Sequence, residues 1–366
     1  MAGRSYYSSP DYLLIACVLF LTFFGLFMLS SASSDLGQIK FGDSYYYLKH
    51  QIIYGLAFGL LGFYMASKFY YGRLEKWALW LLLLSVALLV LVFTPLGFSS
   101  GGAERWIKIG PLTIQPAEIT KLSFIIYLAA WLSAKPYRSS SLTGGFLPFL
   151  ILSGVIAGLL LAQPSTTSVF VIGFSAIVIY FLSGARLSYI LGSIMAGLLV
   201  MAMVIYITPY RLNRVRAFLN PETDTQGTGF HLNQALMAIG SGGLWGTGYG
   251  QSTTKFNYLP EPIGDSIFAV IAEELGFVGV VGVIGVYLVV LFRGFRIAYK
   301  SSDIFAKLLV GGLVSLIAVQ TFINIAAISG IMPLTGVPLP FISYGGTALA
   351  TFLTASGIVV NVSKHV

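Results

Sequence analysis

The sequence has little charge and almost no cysteine or histidine, and these shortages exclude several classes of protein. Only 9% of its 366 residues are charged, whereas soluble domains carry roughly 25%, so a soluble globular protein is excluded. The single cysteine, Cys17, cannot form an intrachain disulfide. The three histidines, His50, His231 and His365, lie far apart in the sequence and show no metal-ligand spacing.

Two further absences exclude nucleotide and nucleic-acid binding. The net charge is +8, but the basic residues are scattered and form no nucleic-acid patch or motif. We attribute the surplus to membrane orientation and anionic lipid. The glycine-rich stretch 240–250 lacks the Lys-Ser/Thr pair and the strand–helix context of a phosphate-binding loop, so it predicts tight turns instead.

Long hydrophobic runs dominate what is present, since 57% of the residues are hydrophobic. A helix needs about 20 apolar residues to cross the hydrocarbon core, and these runs do not alternate as barrel strands do. The first run is too long for a typical signal-peptide core. The runs predict an all-α integral membrane protein with ten transmembrane helices, at residues 12–31, 52–70, 77–98, 118–134, 146–163, 166–184, 188–208, 266–292, 306–328 and 346–362.

The distribution of lysine and arginine predicts the orientation of these helices. If the N-terminus is cytoplasmic, the inner segments carry more of these residues than the short outer segments do, which favours N-in and C-in. We predict a single domain, 1–366, with one large extracytoplasmic loop, 209–264, before the eighth span. The aromatic and apolar residues of the loop indicate that it is ordered, with short helices at the membrane surface.

Three carboxylates, Asp265, Glu273 and Glu274, stand at the start of the eighth apolar run. Charged side chains at membrane depth are costly and mark partners, cavities or substrate paths. Asp265 is placed to cap the helix or to do chemistry, and the two roles do not exclude each other. Adjacent helical residues point about 100° apart, so at most one of the two glutamates would face a site, and hydrogen-bonded packing is favoured for both.

Four predicted outer segments contain polar residues that a lipid-facing helix would not carry. They are 103–121, 163–168, the basic start of the large loop and 328–348. The last is too rich in proline and glycine for a continuous helix, and irregular backbone at membrane depth needs cover from protein or water. The sequence therefore predicts an outward-opening cavity beside Asp265.

The residues of these segments have structural as well as functional interpretations. Arg105 and Trp106, predicted in a loop, are typical of interfacial anchors. Glu118 and Lys121 share a helix face and fit a structural ion pair equally well. A cavity with an isolated carboxylate and several cations suits an anionic lipid-linked substrate, because cations offset a diphosphate and a carboxylate accepts a hydroxyl proton.

The run from Asn324 to Ala348, NIAAISGIMPLTGVPLPFISYGGTA, resembles the signature of the FtsW/RodA/SpoVE family of shape, elongation, division and sporulation proteins. Further segments resemble the same family in the right order, so that the resemblance covers nearly the whole chain. They are 31–33, 41–51, 105–121, 217–250 and 259–279. The 31–51 segment and the sequence from LPEP to AEELGF, residues 259–277, favour the division branch.

The resemblance implies a peptidoglycan glycosyltransferase that polymerises lipid II on the outer face of the bacterial cytoplasmic membrane. Its implied partners are a class B penicillin-binding protein, which is the transpeptidase, and other division proteins. The essential aspartate of the family corresponds to Asp265, and its Arg-Trp pair corresponds to Arg105 and Trp106. The Gln-Pro-Ser-Glu…Lys run of the family corresponds to Gln115, Pro116, Glu118 and Lys121. Ala117 replaces the serine of that run.

Two segments depart from the family pattern. Ile263 and Gly264 stand where the family usually has His-Thr, which removes a possible helper histidine. Residues 164–168 stand where it usually has Pro-Asp-Leu-Gly-Thr, so no acid is carried over to that segment.

The resulting hypothesis is an inverting transfer, in which the 4-hydroxyl of an acceptor GlcNAc attacks the anomeric carbon of a donor MurNAc and expels undecaprenyl diphosphate. Asp265 is the expected general base, or the ligand of a divalent cation such as Mg²⁺ or Mn²⁺. The alternatives are a lipid II flippase and a non-catalytic scaffold that activates the transpeptidase. The candidate substrate-binding residues are Arg105, Trp106, Glu118, Lys121, Arg211, Arg214, Arg216 and Ser343.

Overall fold

The computed structural model describes residues 9–100, 103–110, 112–219, 227–255 and 259–366. Every one of the ten predicted apolar runs falls on a helix. The helices, numbered in chain order, are α1 (Tyr12–Ala32), α2 (Ser34–Phe41), α3 (Tyr46–His50), α4 (Ala57–Lys68), α5 (Gly72–Leu91), α6 (Pro116–Ser133), α7 (Leu147–Ala162), α8 (Thr166–Leu182), α9 (Leu187–Ile207), α10 (Pro209–Leu219), α11 (Thr228–Ser241), α12 (Ile267–Lys300), α13 (Ile304–Ile328) and α14 (Gly346–Ser363). Two π-helical turns, Gln51–Leu56 and Leu142–Phe146, precede α4 and α7, and a 3₁₀ turn, Pro136–Ser139, follows α6.

Among the described residues, seven helices are long and apolar enough to cross a membrane. They are α1, α5, α7 together with the preceding π turn, α9, α12, α13 and α14. The helix α8 is apolar but shorter, and α6 carries the charged pair Glu118 and Lys121. The count of ten spans and their orientation stay predictions.

The helices α13 and α14 form the centre of the molecule. In the most apolar stretch of α13, 83% of the residues are buried, against 11% in α9. α13 packs against α6, α8 and α12, while α14 packs along α4. Glycines permit the closest approach: a Cβ at Gly59 would lie 2.5 Å from a Leu353 side-chain carbon. Helices with few buried residues therefore lie at the periphery, where their apolar surfaces face lipid.

The prediction of an all-α fold is wrong in one segment. Three short segments form an antiparallel sheet in the order β1 (Gly97–Ser100), β2 (Ala103–Ile109) and β3 (Leu112–Ile114). Arg105 and Trp106 therefore lie in β2, not in the predicted loop. The run predicted at 77–98 is also too long, because α5 ends at Leu91.

The predicted large loop, 209–264, contains the helices α10 and α11; residues 220–226 and 256–258 lie outside the described part. Its glycine-rich stretch packs against α12, which is kinked at Gly276 (φ 65°, ψ −168°). A Cβ at Gly246 would lie 2.2 Å from the Glu274 carbonyl oxygen, and one at Gly276 would lie 2.3 Å from the Gly246 nitrogen. Only glycine fits these contacts, which confirms the predicted tight turns. The eighth run, predicted to end at 292, continues as α12 to Lys300.

Candidate active site

One cavity of about 1280 Å³ brings together residues of all four predicted polar segments. Asp265 lines it, together with Arg105, Trp106, Glu118 and Lys121. Its wall also includes Arg211 and Arg214 from α10, residues 164–168, and all of 332–338 and 344–348. The predicted cavity beside Asp265 is thus present in the structure.

Asp265 precedes α12 without capping it. The helix begins at Ile267, and Ser266 occupies the cap position without a side-chain hydrogen bond to the first turn of the helix. The Oδ1 atom of Asp265 is buried and has no hydrogen-bond partner among the residues that the structure describes. A Cβ at Gly336, whose φ is +67°, would lie 3.7 Å from the other oxygen, Oδ2. The capping interpretation is therefore wrong, and glycine at 336 leaves space beside the carboxylate.

The surroundings of Asp265 favour its protonated form. Burial raises the pKa of its carboxyl from 3.8 to about 7, and the nearby charge of Glu261 adds to the rise. Hydrogen bonds and the charge of Arg214 act in the opposite direction but do not cancel it. A carboxyl with a pKa near the operating pH has the proton affinity that a general base needs.

Glu118 and Lys121 form the predicted ion pair. The Oε1 and Nζ atoms lie 2.6 Å apart, and the two side chains are 3% and 2% exposed. Lys121 also donates to Gln320 Oε1 at 2.7 Å, whereas Glu118 Oε2 is buried and finds no partner in the part of the chain that the structure describes. The pair is structural in its contacts and lines the cavity as well. Lys121 shares this cavity with Asp265, although its ammonium pairs with Glu118.

Three guanidinium groups form the cationic group of the cavity: Arg105, Arg211 and Arg214. Burial lowers the pKa of Arg105, and the charges of Arg214 and Arg211 lower it further, so the three lie close enough to repel. Arg105 Nε donates to the Gln163 carbonyl at 3.1 Å. Arg214 Nη1 donates to the Leu334 carbonyl at 3.2 Å, and the buried Nε of Arg214 has no partner in the described ranges. An anion between these side chains would relieve their repulsion.

Two of the predicted substrate-binding residues do not line this cavity. Arg216 is exposed on α10, because a residue two positions after Arg214 lies on another face of the helix. Ser343 is buried and its hydroxyl oxygen accepts a hydrogen bond from the Leu339 N–H at 2.7 Å. The structure thus gives Ser343 a role in holding a turn.

Glu273 and Glu274 are packed through hydrogen bonds, as expected, and neither lines the cavity. Glu273 accepts from the hydroxyls of Ser252 and Thr254 and from the N–H of Thr253. Glu274 Oε1 lies 2.9 Å from the Nζ of Lys255. These contacts attach residues 252–255 of the large loop to α12. Asp265 lies in the chain segment that connects the two.

A histidine contacts the residue after Asp265, and it comes from a different part of the chain than the family pattern implies. His231, on α11, places Nε2 2.6 Å from the Oγ of Ser266. Because that hydroxyl donates to the Pro260 carbonyl at 2.8 Å, it accepts from Nε2–H. Burial and the charge of Arg214 lower the pKa of His231 to about 4, so the ring is neutral and fixes the 260–266 turn.

The cavity wall also contains side chains that sequence reasoning did not single out, among them Glu261, Tyr47, His50, Tyr54 and Tyr344. The first four carried a detectable signal. Glu261 stands four residues before Asp265, and Tyr47, His50 and Tyr54 have the i, i+3, i+7 spacing of one helix face. Within the described ranges, no group of three or more His, Cys, Asp or Glu side chains could hold a metal ion.

Comparison with known proteins places this chain among well-defined relatives. The family model FtsW/RodA/SpoVE, described as "Cell cycle protein", matches residues 11–366. Stage V sporulation protein E of Bacillus subtilis (strain 168) is 38% identical over 359 residues, which cover 98% of each chain. The probable peptidoglycan glycosyltransferase FtsW of Trichlorobacter lovleyi is 40% identical over 357 residues, which cover 96% of this chain and 93% of that one.

Two solved structures share the fold over nearly the full length. A chain from the study "Structural coordination of polymerization and crosslinking by a peptidoglycan synthase complex" is 29% identical, with a TM-score of 0.81 and 97% coverage of both chains. The rod shape determining protein RodA of Thermus thermophilus is 28% identical, with a TM-score of 0.71 and coverage of 98% and 97%.

Proposed function

Since the chain belongs to the FtsW/RodA/SpoVE family, we propose that it is a peptidoglycan glycosyltransferase that polymerises lipid II during septal cell-wall synthesis. The observation that carries the proposal is Asp265, which lines a cavity that also contains three arginines. One of its oxygens is buried and has no partner within the described part of the chain. Similar proteins named as probable peptidoglycan glycosyltransferases support it over nearly the whole chain. Sporulation synthesis is the second candidate, because a sporulation protein is 38% identical.

The proposed step is a displacement at a sugar carbon. The oxygen of the acceptor GlcNAc 4-hydroxyl forms a bond to C1 of the donor MurNAc, and Asp265 accepts the hydroxyl proton. The bond from C1 to the diphosphate oxygen breaks, and its electron pair leaves with undecaprenyl diphosphate. The configuration at C1 inverts because attack and departure occur on opposite faces.

The cationic group supports this step because charge develops on the leaving diphosphate. Positive side chains fixed in a partly buried cavity stabilise such charge without reorganising. Arg105 and Arg214 are held by backbone carbonyls, so their guanidinium groups are oriented before substrate arrives. Lys121 contributes a fourth cation, which Glu118 largely neutralises.

A divalent cation such as Mg²⁺ or Mn²⁺ fits the residues of the cavity. Asp265 and Glu261 both line it, and one Asp265 oxygen has no partner among the described side chains and backbone groups. Mg²⁺ commonly takes one or two protein carboxylates and completes its shell with water and substrate phosphates. When bound, the ion would supply positive charge beside the diphosphate. The side chain of Asp265 would hold it, with Glu261 as the second ligand.

The chain is a multi-pass membrane protein, as its long apolar helices and its family indicate. Lipid II polymerisation requires the cavity to open on the outer face of the bacterial cytoplasmic membrane, which agrees with the orientation expected from the lysine and arginine distribution. A class B penicillin-binding protein is the proposed partner. The similar structure from a study of coordinated polymerization and crosslinking supports a crosslinking partner.

The test is polymerisation of lipid II by the purified full-length chain in detergent, where no membrane separates two compartments. Glycan strands are the expected product. A matched pair of variants, Asp265→Asn and Asp43→Asn, separates chemistry from general effects, since Asp43 is a surface residue that pairs with Lys49 and does not line the cavity. Absence of polymer from wild-type protein, combined with lipid II transfer across vesicles, would favour a flippase. Normal strand synthesis by a complex containing Asp265→Asn would favour a scaffold.

A further inference from the structure

The cavity wall carries a second set of side chains whose chemistry differs from that of the arginines. Tyr47, His50, Tyr54 and Tyr344 all line it, and we refer to these four residues as the aromatic group. The ring centroids of Tyr47 and Tyr344 are 5.2 Å apart, and those of His50 and Tyr54 are 4.6 Å apart. The Tyr344 hydroxyl lies 3.0 Å from His50 Nδ1. The displacement step proposed above makes no use of these rings.

The aromatic group is attached to irregular backbone. Tyr54 belongs to the π-helical turn Gln51–Leu56, and such turns are frequent at functional sites. Gln51, which is 1% exposed, joins this turn to the segment carrying Tyr344, because its Oε1 accepts from the Gly345 N–H at 3.0 Å. Rings held in this way lose little freedom when a ligand binds, which favours affinity.

The aromatic group also borders the segment that carries Asp265. The backbone N–H of Tyr344 donates to the Ile263 carbonyl at 2.8 Å, two residues before Asp265. Burial raises the pKa of the Tyr47 phenol, and the charge of Glu261 adds to the rise, so Tyr47 lies within electrostatic reach of that carboxylate. The rings and the candidate base therefore belong to one continuous part of the wall.

The two substrates of a lipid II polymerase present different groups at the reacting centre. In the donor, the diphosphate is bonded directly to the carbon under attack, so cations must stand there. In the acceptor, the reacting hydroxyl is on GlcNAc, and a MurNAc residue separates it from the acceptor's own diphosphate. The part of the acceptor that approaches Asp265 is therefore a pyranose ring, not a charged group.

A pyranose ring and an aromatic face are complementary surfaces. The C–H bonds on one side of the sugar carry partial positive charge, and the face of an aromatic ring is negative. Tyrosine adds a hydroxyl that exchanges hydrogen bonds with sugar hydroxyls. We propose that the aromatic group is the subsite for the acceptor GlcNAc and presents its 4-hydroxyl to Asp265. The inference rests on the proposed function and divides the cavity between the two substrates.

The test compares ring-retaining and ring-removing substitutions at two positions. Tyr54→Leu and Tyr47→Leu are expected to raise the KM for lipid II about tenfold, equivalent to about 1.4 kcal/mol, with kcat changed less than about twofold. Tyr54→Phe and Tyr47→Phe keep the ring but lose the hydroxyl, so they are expected to raise the KM by less than the leucine variants do. Tyr64→Leu is the control, because Tyr64 is 61% exposed on α4 and does not line the cavity.

A binding measurement separates this inference from the proposed function. The probe is a GlcNAc–MurNAc disaccharide without diphosphate, followed by saturation-transfer NMR on the full chain in detergent. We expect binding by wild type and the phenylalanine variants, and about tenfold weaker binding by the leucine variants. Equal binding and equal KM in the phenylalanine and leucine variants at either position would overturn the subsite. A wild-type protein that binds the disaccharide but makes no polymer would overturn the proposed function instead.

Discussion

Replacing Asp265 by asparagine should abolish polymerisation and stabilise the protein at the same time. Asparagine keeps the shape of the side chain but has no carboxylate to accept a proton, and loss of a general base typically lowers the rate about 10²–10⁴-fold. Stability should rise because burial opposes ionisation of this carboxyl in the folded chain. Asparagine removes that unfavourable charge.

The size of the stability effect follows from the pKa. A rise from 3.8 to about 7 corresponds to roughly 4 kcal/mol, at about 1.4 kcal/mol for each tenfold change in proton affinity. The folded carboxyl binds its proton more tightly than the unfolded one, so this contribution to wild-type stability is complete below pH 3.8 and is lost as the pH rises through 7. The advantage of Asp265→Asn should therefore approach roughly 4 kcal/mol at pH 8 and shrink towards pH 4.

The assay is thermal unfolding in detergent at pH 5, 6 and 8, together with lipid II polymerisation. Asp43→Asn is the control, because the ion pair with Lys49 and the backbone N–H of Tyr45 lower the pKa of Asp43. It should show no stability gain at pH 8. An Asp265→Asn variant that polymerises at the wild-type rate refutes the base assignment. One that unfolds more easily than wild type at pH 8 refutes the account of its burial.

Four further outcomes are expected from the same geometry. The rate of polymerisation should rise between about pH 6 and 8, since the Asp265 carboxyl must be ionised to accept a proton; a flat profile over this range argues against it. EDTA should reduce the wild-type rate and added Mg²⁺ restore it if Asp265 holds the ion, whereas an unchanged rate in EDTA argues for the carboxylate alone. Lys121→Met should cost about 3–5 kcal/mol of stability because it leaves a buried Glu118 unpaired. The double variant Lys121→Met with Glu118→Gln should recover most of that loss, and thermal unfolding of the single and double variants tests this recovery. Glu274→Gln should loosen the contact with Lys255, lowering the melting temperature while hydrogen exchange rises in residues 250–255; protection equal to wild type contradicts the anchoring role.

The cavity could be predicted from sequence because its wall breaks the rules of a lipid-facing surface. The 328–348 segment is irregular in a chain otherwise made of apolar helices. Irregular backbone at membrane depth must be shielded from lipid by protein or water. Asp265 and the arginines are charged in a chain with few charges. These features locate the site from the sequence alone. They do not reveal which charged side chains face each other.

The small sheet escaped prediction because its signal is short. The β2 strand has only seven residues, and its polar positions made the segment typical of an outer loop. Gly110, with φ +60°, marks the turn into β3, a glycine signal that could have indicated a hairpin. The prediction for Arg216 was wrong for a related reason, because residues 209–219 were not specifically predicted to be helical. On a helix, Arg216 and Arg214 point in different directions.

Two side-chain amides of α13 hold the irregular 328–348 segment in place beside Asp265. Gln320 and Asn324 are four residues apart and so share one face of the helix. Gln320 donates to the Pro338 carbonyl at 3.0 Å and accepts from Lys121 at 2.7 Å. The two N–H groups of Asn324 reach the Val337 carbonyl at 2.7 Å and the Asp265 carbonyl at 2.8 Å.

These bonds satisfy backbone carbonyls that have no helical partner, which membrane depth requires. They fix the backbone of Asp265 but not its carboxylate, because every one of them ends on a carbonyl or on Lys121. The Oδ1 atom is buried and has no partner among the residues described, and leaving such a group unsatisfied costs about 1–3 kcal/mol. A substrate hydroxyl that donates to this oxygen recovers that cost on binding. The same arrangement that destabilises the empty site thus favours the complex in which proton transfer can begin.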